Sequence, residues 1–88
     1  MEKSPIGWKN IYESNTRITF MNKKNPNDRV FVRYVKQKDG NYYWEAGYFN
    51  KNITGYKKIM SYKIKNYALQ DAYNHMEIKQ LKSEGVLK

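Results

Sequence analysis

Residues 29–49 read RVFVRYVKQKDGNYYWEAGYF, and the fold turns on how this stretch is divided. Residues 29–37 are dominated by β-branched and aromatic side chains, which favour a pleated strand over a helix. Within them Val30, Val32 and Tyr34 alternate with Arg29, Phe31, Arg33 and Val35, the period of two that a strand imposes on its faces. Residues 42–49 repeat the pattern: Tyr42, Trp44, Ala46 and Tyr48 on one side, Tyr43, Glu45, Gly47 and Phe49 on the other. Lys38-Asp39-Gly40-Asn41 lies between the two runs. Asp-Gly between strand patterns predicts a type I′ hairpin turn, in which both central residues take positive φ. The two strands are therefore expected to pair antiparallel.

The pattern extends in both directions. Residues 16–22, TRITFMN, alternate Ile18 and Phe20 against Arg17, Thr19 and Met21, and Asn25-Pro26-Asn27-Asp28 supplies a turn before the central strand. After a turn at 50–55, NKNITG, residues 56–63 form a last strand, with Tyr56, Lys58, Met60 and Tyr62 opposite Lys57, Ile59, Ser61 and Lys63. The period then changes. Leu69, Ala72, Tyr73 and Met76 recur at helical spacing, with Asn66 as N-cap and Gly85 as stop. Ile78 and Leu81 fall off the centre of this stripe. Residues 1–15 have no clear period, and Pro5 and Gly7 argue against a long helix. They are expected to form an arm packed on the core or one short helical turn.

The expected architecture is α+β: a three- to four-stranded antiparallel β-meander with one C-terminal α-helix packed on one face. A single domain covers 1–88, divided into an N-terminal arm (1–15), strands (16–63), a helix (66–83) and a frayed tail (84–88). One helix covers one sheet face and leaves the other in water. If Trp44 and its face-mates form the core, Tyr43 and Phe49 look outward; the reverse assignment is equally open at this level.

Composition bounds the function. A chain of 88 residues buries only about 60–65% of its unfolded surface, so its core is small. Nine tyrosines supply much of its hydrophobic fraction of 40%, and tyrosine suits half-buried sites with a wet hydroxyl. The 17 Lys and Arg against eight Asp and Glu give a net charge of +9. A field of that sign attracts polyanions: nucleic acid, an acidic protein or an anionic membrane. The absence of cysteine excludes disulfides and thiolate metal sites. No apolar run approaches the ~20 residues of a membrane span, and the start MEKSPIGWKNIY lacks the apolar core of a signal peptide. A cytoplasmic protein is expected, with the Asn52-Ile53-Thr54 sequon unused.

An enzyme is not expected. His75 is the single histidine and reads as an ordinary boundary residue. No second His and no Cys accompanies it as a metal ligand. The five glycines stand alone at 7, 40, 47, 55 and 85, so no glycine-rich phosphate loop occurs. Glu45, among neighbouring cations, reads as a cross-strand partner. No catalytic residue, metal ligand or cofactor is assigned.

What remains is basic residues interleaved with aromatics. The nucleic-acid-binding candidates are Arg29, Arg33, Lys36, Lys38, Tyr43, Lys51, Lys57, Lys58 and Lys63. A β-ribbon can enter the major groove and reach base edges, turn lysines can hold phosphates, and exposed tyrosines can stack on unpaired bases.

The run "YYWEAGYFNKN" (42–52), then "GYKKIMSYKIKN" (55–66), then "YALQDAYNHM" (67–76) resembles the amino-terminal arm-type DNA-binding domain of phage and transposon tyrosine integrases, itself similar to the plant AP2 domain. The resemblance is one of pattern and covers residues 29–82. It implies three strands lying in a DNA groove with the helix behind, and groove-facing positions drawn from Arg29, Arg33, Glu45, Lys57 and Lys58. Glu45 departs from the basic or neutral residue more usual there, and "SYKIKNYA" departs from a Thr-Lys-rich helix start. No recombinase catalytic domain is expected to follow, so the resemblance implies a regulator or accessory factor of a mobile element. The expected partner is duplex DNA, favoured over single strand, bound by a monomer or weak homodimer with no membrane. The alternative is a small phage- or plasmid-encoded inhibitor that holds an acidic host defence or replication protein through the aromatic sheet face.

Overall fold

The structure, a computed structural model, describes residues 2–85. Five strands, β1 (Trp8–Glu13), β2 (Arg17–Asn22), β3 (Arg29–Lys36), β4 (Tyr42–Phe49) and β5 (Lys57–Tyr62), precede one helix, α1 (Lys65–Ser83). The strands pair antiparallel in chain order, β1-β2-β3-β4-β5, as an open meander. The fold is α+β, with one strand more than the sequence pattern supplies. Of the tail expected to fray at 84–88, residues 86–88 lie outside the described residues.

The added strand is β1, in the segment expected to be an arm. Its alternation is broken: Asn10 pairs with Phe20 and Tyr12 with Thr19, so Ile11 is an extra residue in a bulge. Across that bulge the core side of β1 is Trp8, Asn10 and Glu13, two of them polar. Trp8 alone carries its hydrophobic contribution, and it is 1% exposed.

The core lies between the sheet and α1. Ile18 and Phe20 of β2, Val30 and Val32 of β3 and Ala46 of β4 meet Ala68, Leu69, Ala72 and Met76 of α1. The helical stripe predicted from spacing is therefore the packed one, extended by Ala68. Small Ala side chains at the contact let the helix approach closely, and Phe20 and Tyr73 fill the margin with centroids 5.8 Å apart. Trp44 and Tyr48 pack against this core, so the Trp44 side of β4 faces the helix and the Tyr43, Glu45 and Phe49 side does not.

Three local expectations change. Asp39 has no positive φ; only Gly40 does, at 88°. The Gly40 N–H donates to the Gln37 carbonyl at 3.0 Å, and the Gln37 N–H to the Asn41 carbonyl at 2.8 Å. The connection is thus a three-residue loop, a tight turn closed by a left-handed glycine, instead of a two-residue type I′ turn. Asn66 is not the N-cap of α1. That position is Ile64, extended and without a side-chain cap, and the helix is anchored instead by the Tyr62 hydroxyl donating to Asp71 at 2.6 Å. Finally, strict alternation in the last strand fails. Ala46 pairs with Met60 but Gly47 with Lys58, which leaves Ile59 in a bulge and moves Lys58 onto the same side as Ser61.

At the far end α1 is tied down by an ion pair. Lys79 Nζ reaches buried Asp28 in the β2–β3 turn at 2.8 Å. Gly85, with φ 77°, ends the helix, its N–H donating to the Lys82 carbonyl at 3.1 Å. Among the described residues no helix is long and apolar enough to cross a membrane.

Candidate nucleic-acid interface

The side of the sheet away from α1 is built row by row across the strands. One row runs Arg17–Arg33–Glu45–Ser61, the next Thr19–Phe31–Gly47–Lys58, and the next Met21–Arg29–Phe49. Phe31 lies at its centre. It is only 3% exposed although no helix covers it, because its neighbours form a roof. Its ring packs edge-on to Tyr56 at 5.4 Å and tilted to Phe49 at 6.4 Å, and the Arg33 guanidinium lies over it at 5.1 Å.

Gly47 makes this possible. A Cβ there would come within 2.5 Å of Phe31 Cζ and 3.0 Å of the Lys57 carbonyl oxygen. The ring of Phe31 therefore occupies the space that any side chain at 47 would need.

Arg33 is the best-organised cation of this side. Its Nε donates to Glu45 Oε2 at 2.8 Å, directly across the strands. Its guanidinium carbon also lies 4.4 Å from the centroid of Tyr56. Glu45 is 2% exposed, so this carboxylate is spent on Arg33 and presents little negative charge to a ligand. Arg29 is held similarly, its Nε donating to the Pro26 carbonyl at 3.1 Å and its guanidinium 6.0 Å from the Phe49 centroid. In both arginines the hydrogen bond within the protein uses Nε, and the terminal nitrogens form none with the described residues. A guanidinium oriented by stacking and by one hydrogen bond keeps its remaining donors for a planar or tetrahedral anion.

Other cations complete the surface. Arg17 lies directly across from Arg33, an arrangement of like charges that costs stability in a sheet. Arg17 and Arg29 flank a depression of about 240 Å3 that Tyr12, Thr19 and Phe49 also line. Lys9 pairs with Met21 on this side and Lys58 with Gly47. Lys63, just past β5, lies with its Nζ 5.9 Å from the Tyr43 centroid. The Tyr43 hydroxyl donates to Asp39 at 2.5 Å. This bond, with the Asn41 N–H, holds the Asp39 carboxyl below its usual range, and the bond to Asp39 raises the Tyr43 phenol.

Of the candidates named from sequence, the open side brings together Arg29, Arg33, Tyr43, Lys58 and Lys63. Lys36 and Lys57 pair with Tyr42 and Tyr48 and so belong to the helix side. Lys38 and Lys51 lie in connections at opposite ends of the sheet. Lys9, Tyr12 and Arg17 were not selected from sequence. Arg17 was recoverable by pairing residues 16–22 against 29–37 through the Pro26 turn; Lys9 and Tyr12 were hidden with β1.

His75 lies on the other side of the sheet, its ring stacked on Tyr48 with centroids 4.4 Å apart. Burial lowers its pKa, and the neighbouring Lys79 adds to this. No group of three or more His, Cys, Asp or Glu is placed to hold a metal among the described residues.

The fold and surface thus define a small basic α+β protein, one sheet side packed by a helix and the other carrying oriented arginines over aromatics. Comparison with known protein families, with characterised proteins and with solved structures finds no match.

Proposed function

We propose that this protein is a non-enzymatic binder of duplex DNA and that the open side of its sheet is the contact surface. The observation that carries the reading is the charge distribution of that side. Lys9, Arg17, Arg29, Arg33, Lys58 and Lys63 share it, while Glu45, the carboxylate on its strands, is buried against Arg33. Arg17 facing Arg33 is costly for the fold alone and is relieved by a polyanion between them.

The dimensions support the same partner. Five strands at about 4.8 Å make a sheet about 19 Å wide, broader than the ~12 Å major groove. With the sheet laid over that groove, Arg33 on central β3 faces the base edges. Lys9 and Lys58, on edge strands β1 and β5, fall over the flanking phosphates. Arginine reads guanine through two donors, and lysines at the margin set register and affinity. In this reading the chain is an accessory or regulatory protein of a phage or other mobile element, in keeping with the arm-type resemblance.

The test is fluorescence anisotropy with a labelled random-sequence duplex across a salt series. If about five phosphates are neutralised, the logarithm of affinity falls against the logarithm of salt with a slope near −4 to −5. Arg17→Ala or Lys58→Ala is expected to weaken binding several-fold and to make that slope shallower by about one. Binding that ignores salt, or no binding at low salt, defeats the proposal and turns the search to an acidic host protein.

A further inference from the structure

The helix does not cover its side of the sheet completely. Beyond its first turn, toward the β3–β4 hairpin, three rings form a ladder: Tyr42 is stacked on Tyr34 with centroids 5.3 Å apart and planes at 24°, and Tyr34 meets Trp44 at 5.1 Å. Tyr34 is 41% exposed and Tyr42 53%. These rings lean on one another, and the outermost, Tyr42, has no aromatic neighbour beyond it among the described residues. Lys36 lies directly across from Tyr42, Lys38 is in the adjoining turn, and Lys65 Nζ lies 5.3 Å from the Trp44 centroid. The carboxylates of the adjoining turn and helix, Asp39 and Asp71, each accept a hydrogen bond from a different tyrosine, Tyr43 and Tyr62.

We infer that this ladder is a second nucleic-acid site, one for unpaired bases of a single strand, with Tyr42 as the stacking platform. A base has an apolar face to place on the outermost ring and a phosphate to place on Lys36 or Lys38. Stacking of this kind tolerates any base and adds to a salt-sensitive backbone contact. The Lys38 turn joins the ladder to the open side, so a strand leaving a duplex on one side can pass round the hairpin to the other. An apolar protein partner would leave the three lysines unpaired at its margin, which is why the single strand is preferred.

The test measures anisotropy of a short labelled oligothymidylate and, separately, of a labelled duplex with the wild type, Tyr42→Ala and Tyr42→Phe. Tyr42→Ala is expected to weaken oligothymidylate binding at least about fivefold and leave the duplex affinity unchanged; Tyr42→Phe keeps both. Wild-type tryptophan emission supplies a readout that needs no variant. Trp8 is buried and Trp44 belongs to the ladder, so oligothymidylate should quench Trp44. Duplex binding with no Tyr42-dependent single-strand binding overturns this inference and leaves the duplex proposal standing. Tyr42-dependent single-strand binding without duplex binding does the opposite. Equal losses for both ligands in Tyr42→Ala also overturn it, because the two surfaces would then not be separate sites.

Discussion

The two sides of this sheet are packed by different chemistry. On the helix side, Ile18, Phe20, Val30, Val32 and Ala46 are covered by α1 and need nothing from water. On the open side the single large apolar residue at the centre, Phe31, is covered by an arginine and two aromatic rings, and the arginine is held by a buried glutamate. The first side is stabilised chiefly by apolar burial, with the Lys79–Asp28 ion pair and the Tyr62–Asp71 hydrogen bond at its margins. The second is stabilised partly by charges that stay chemically available, which a covering helix would have removed. A small domain with one helix leaves the other sheet side in water, and it is on that side that the proposed contact surface lies.

The comparison can be broken at its strongest point first. Trp8→Ala removes the apolar anchor of β1 and should cost about 3–5 kcal/mol in urea unfolding; a loss below about 1 kcal/mol would mean β1 is dispensable to the core. On the open side, Gly47→Val forces the Phe31 ring out of its place and should cost about 1–3 kcal/mol, lowering DNA affinity by disturbing Arg33. Glu45→Gln sharpens the contrast. It should cost about 1–2 kcal/mol because Arg33 loses its charged acceptor, yet duplex affinity should rise, since the Arg33 charge is then no longer offset by its paired carboxylate. A fall in both would show that Glu45 is needed to aim Arg33. Arg17→Ala should change stability by no more than about 0.5 kcal/mol, or raise it, while weakening DNA binding several-fold.

The smallest effect concerns pH. His75 has a pKa below its ordinary 6.5 because burial, with help from Lys79, disfavours its cation; Asp28 opposes this and Lys82 reinforces it. Below 6.5 the unfolded chain takes up a proton that the folded chain resists, so stability is highest above that pH and declines as pH falls toward the folded pKa. His75→Gln should flatten that decline in melts from pH 7 to pH 5. An unchanged slope would assign it to carboxylates instead.

The sequence made the centre of the molecule readable and its margins less so. Strands β2 to β4 and the Leu69–Met76 stripe carry clean periods, because each buries one regular face. The pairing of Arg33 with Glu45 depends on the turn: a two-residue turn at Asp39-Gly40 would set Arg33 opposite Ala46, and the three-residue loop closed by Gln37 and Asn41 moves it opposite Glu45. β1 was not legible because the Ile11 bulge breaks the period and its helix-side positions after Trp8 are the polar Asn10 and the exposed Glu13. The same effect at Ile59 reversed the sides of Lys57 and Lys58. A bulge shifts every later side chain by one position and leaves no mark in composition. The N-cap failed for a different reason: α1 starts where β5 delivers the chain, and tertiary contacts anchor it without the capping bond that Asn66 offers.

The uninterrupted chain order of the sheet also governs how the molecule forms. Every strand pairs with its neighbour in sequence, and the longest connection between paired strands is residues 50–56, so each hairpin closes at small entropic cost. Folding can spread outward from the β3–β4 hairpin, one strand at a time, without waiting for a distant segment. Only the docking of the helix is long-range, ending where Lys79 meets Asp28 across 51 positions of chain. Such a topology belongs at the quick end of β-containing domains, and the open side of the sheet is made of contacts between strands adjacent in sequence.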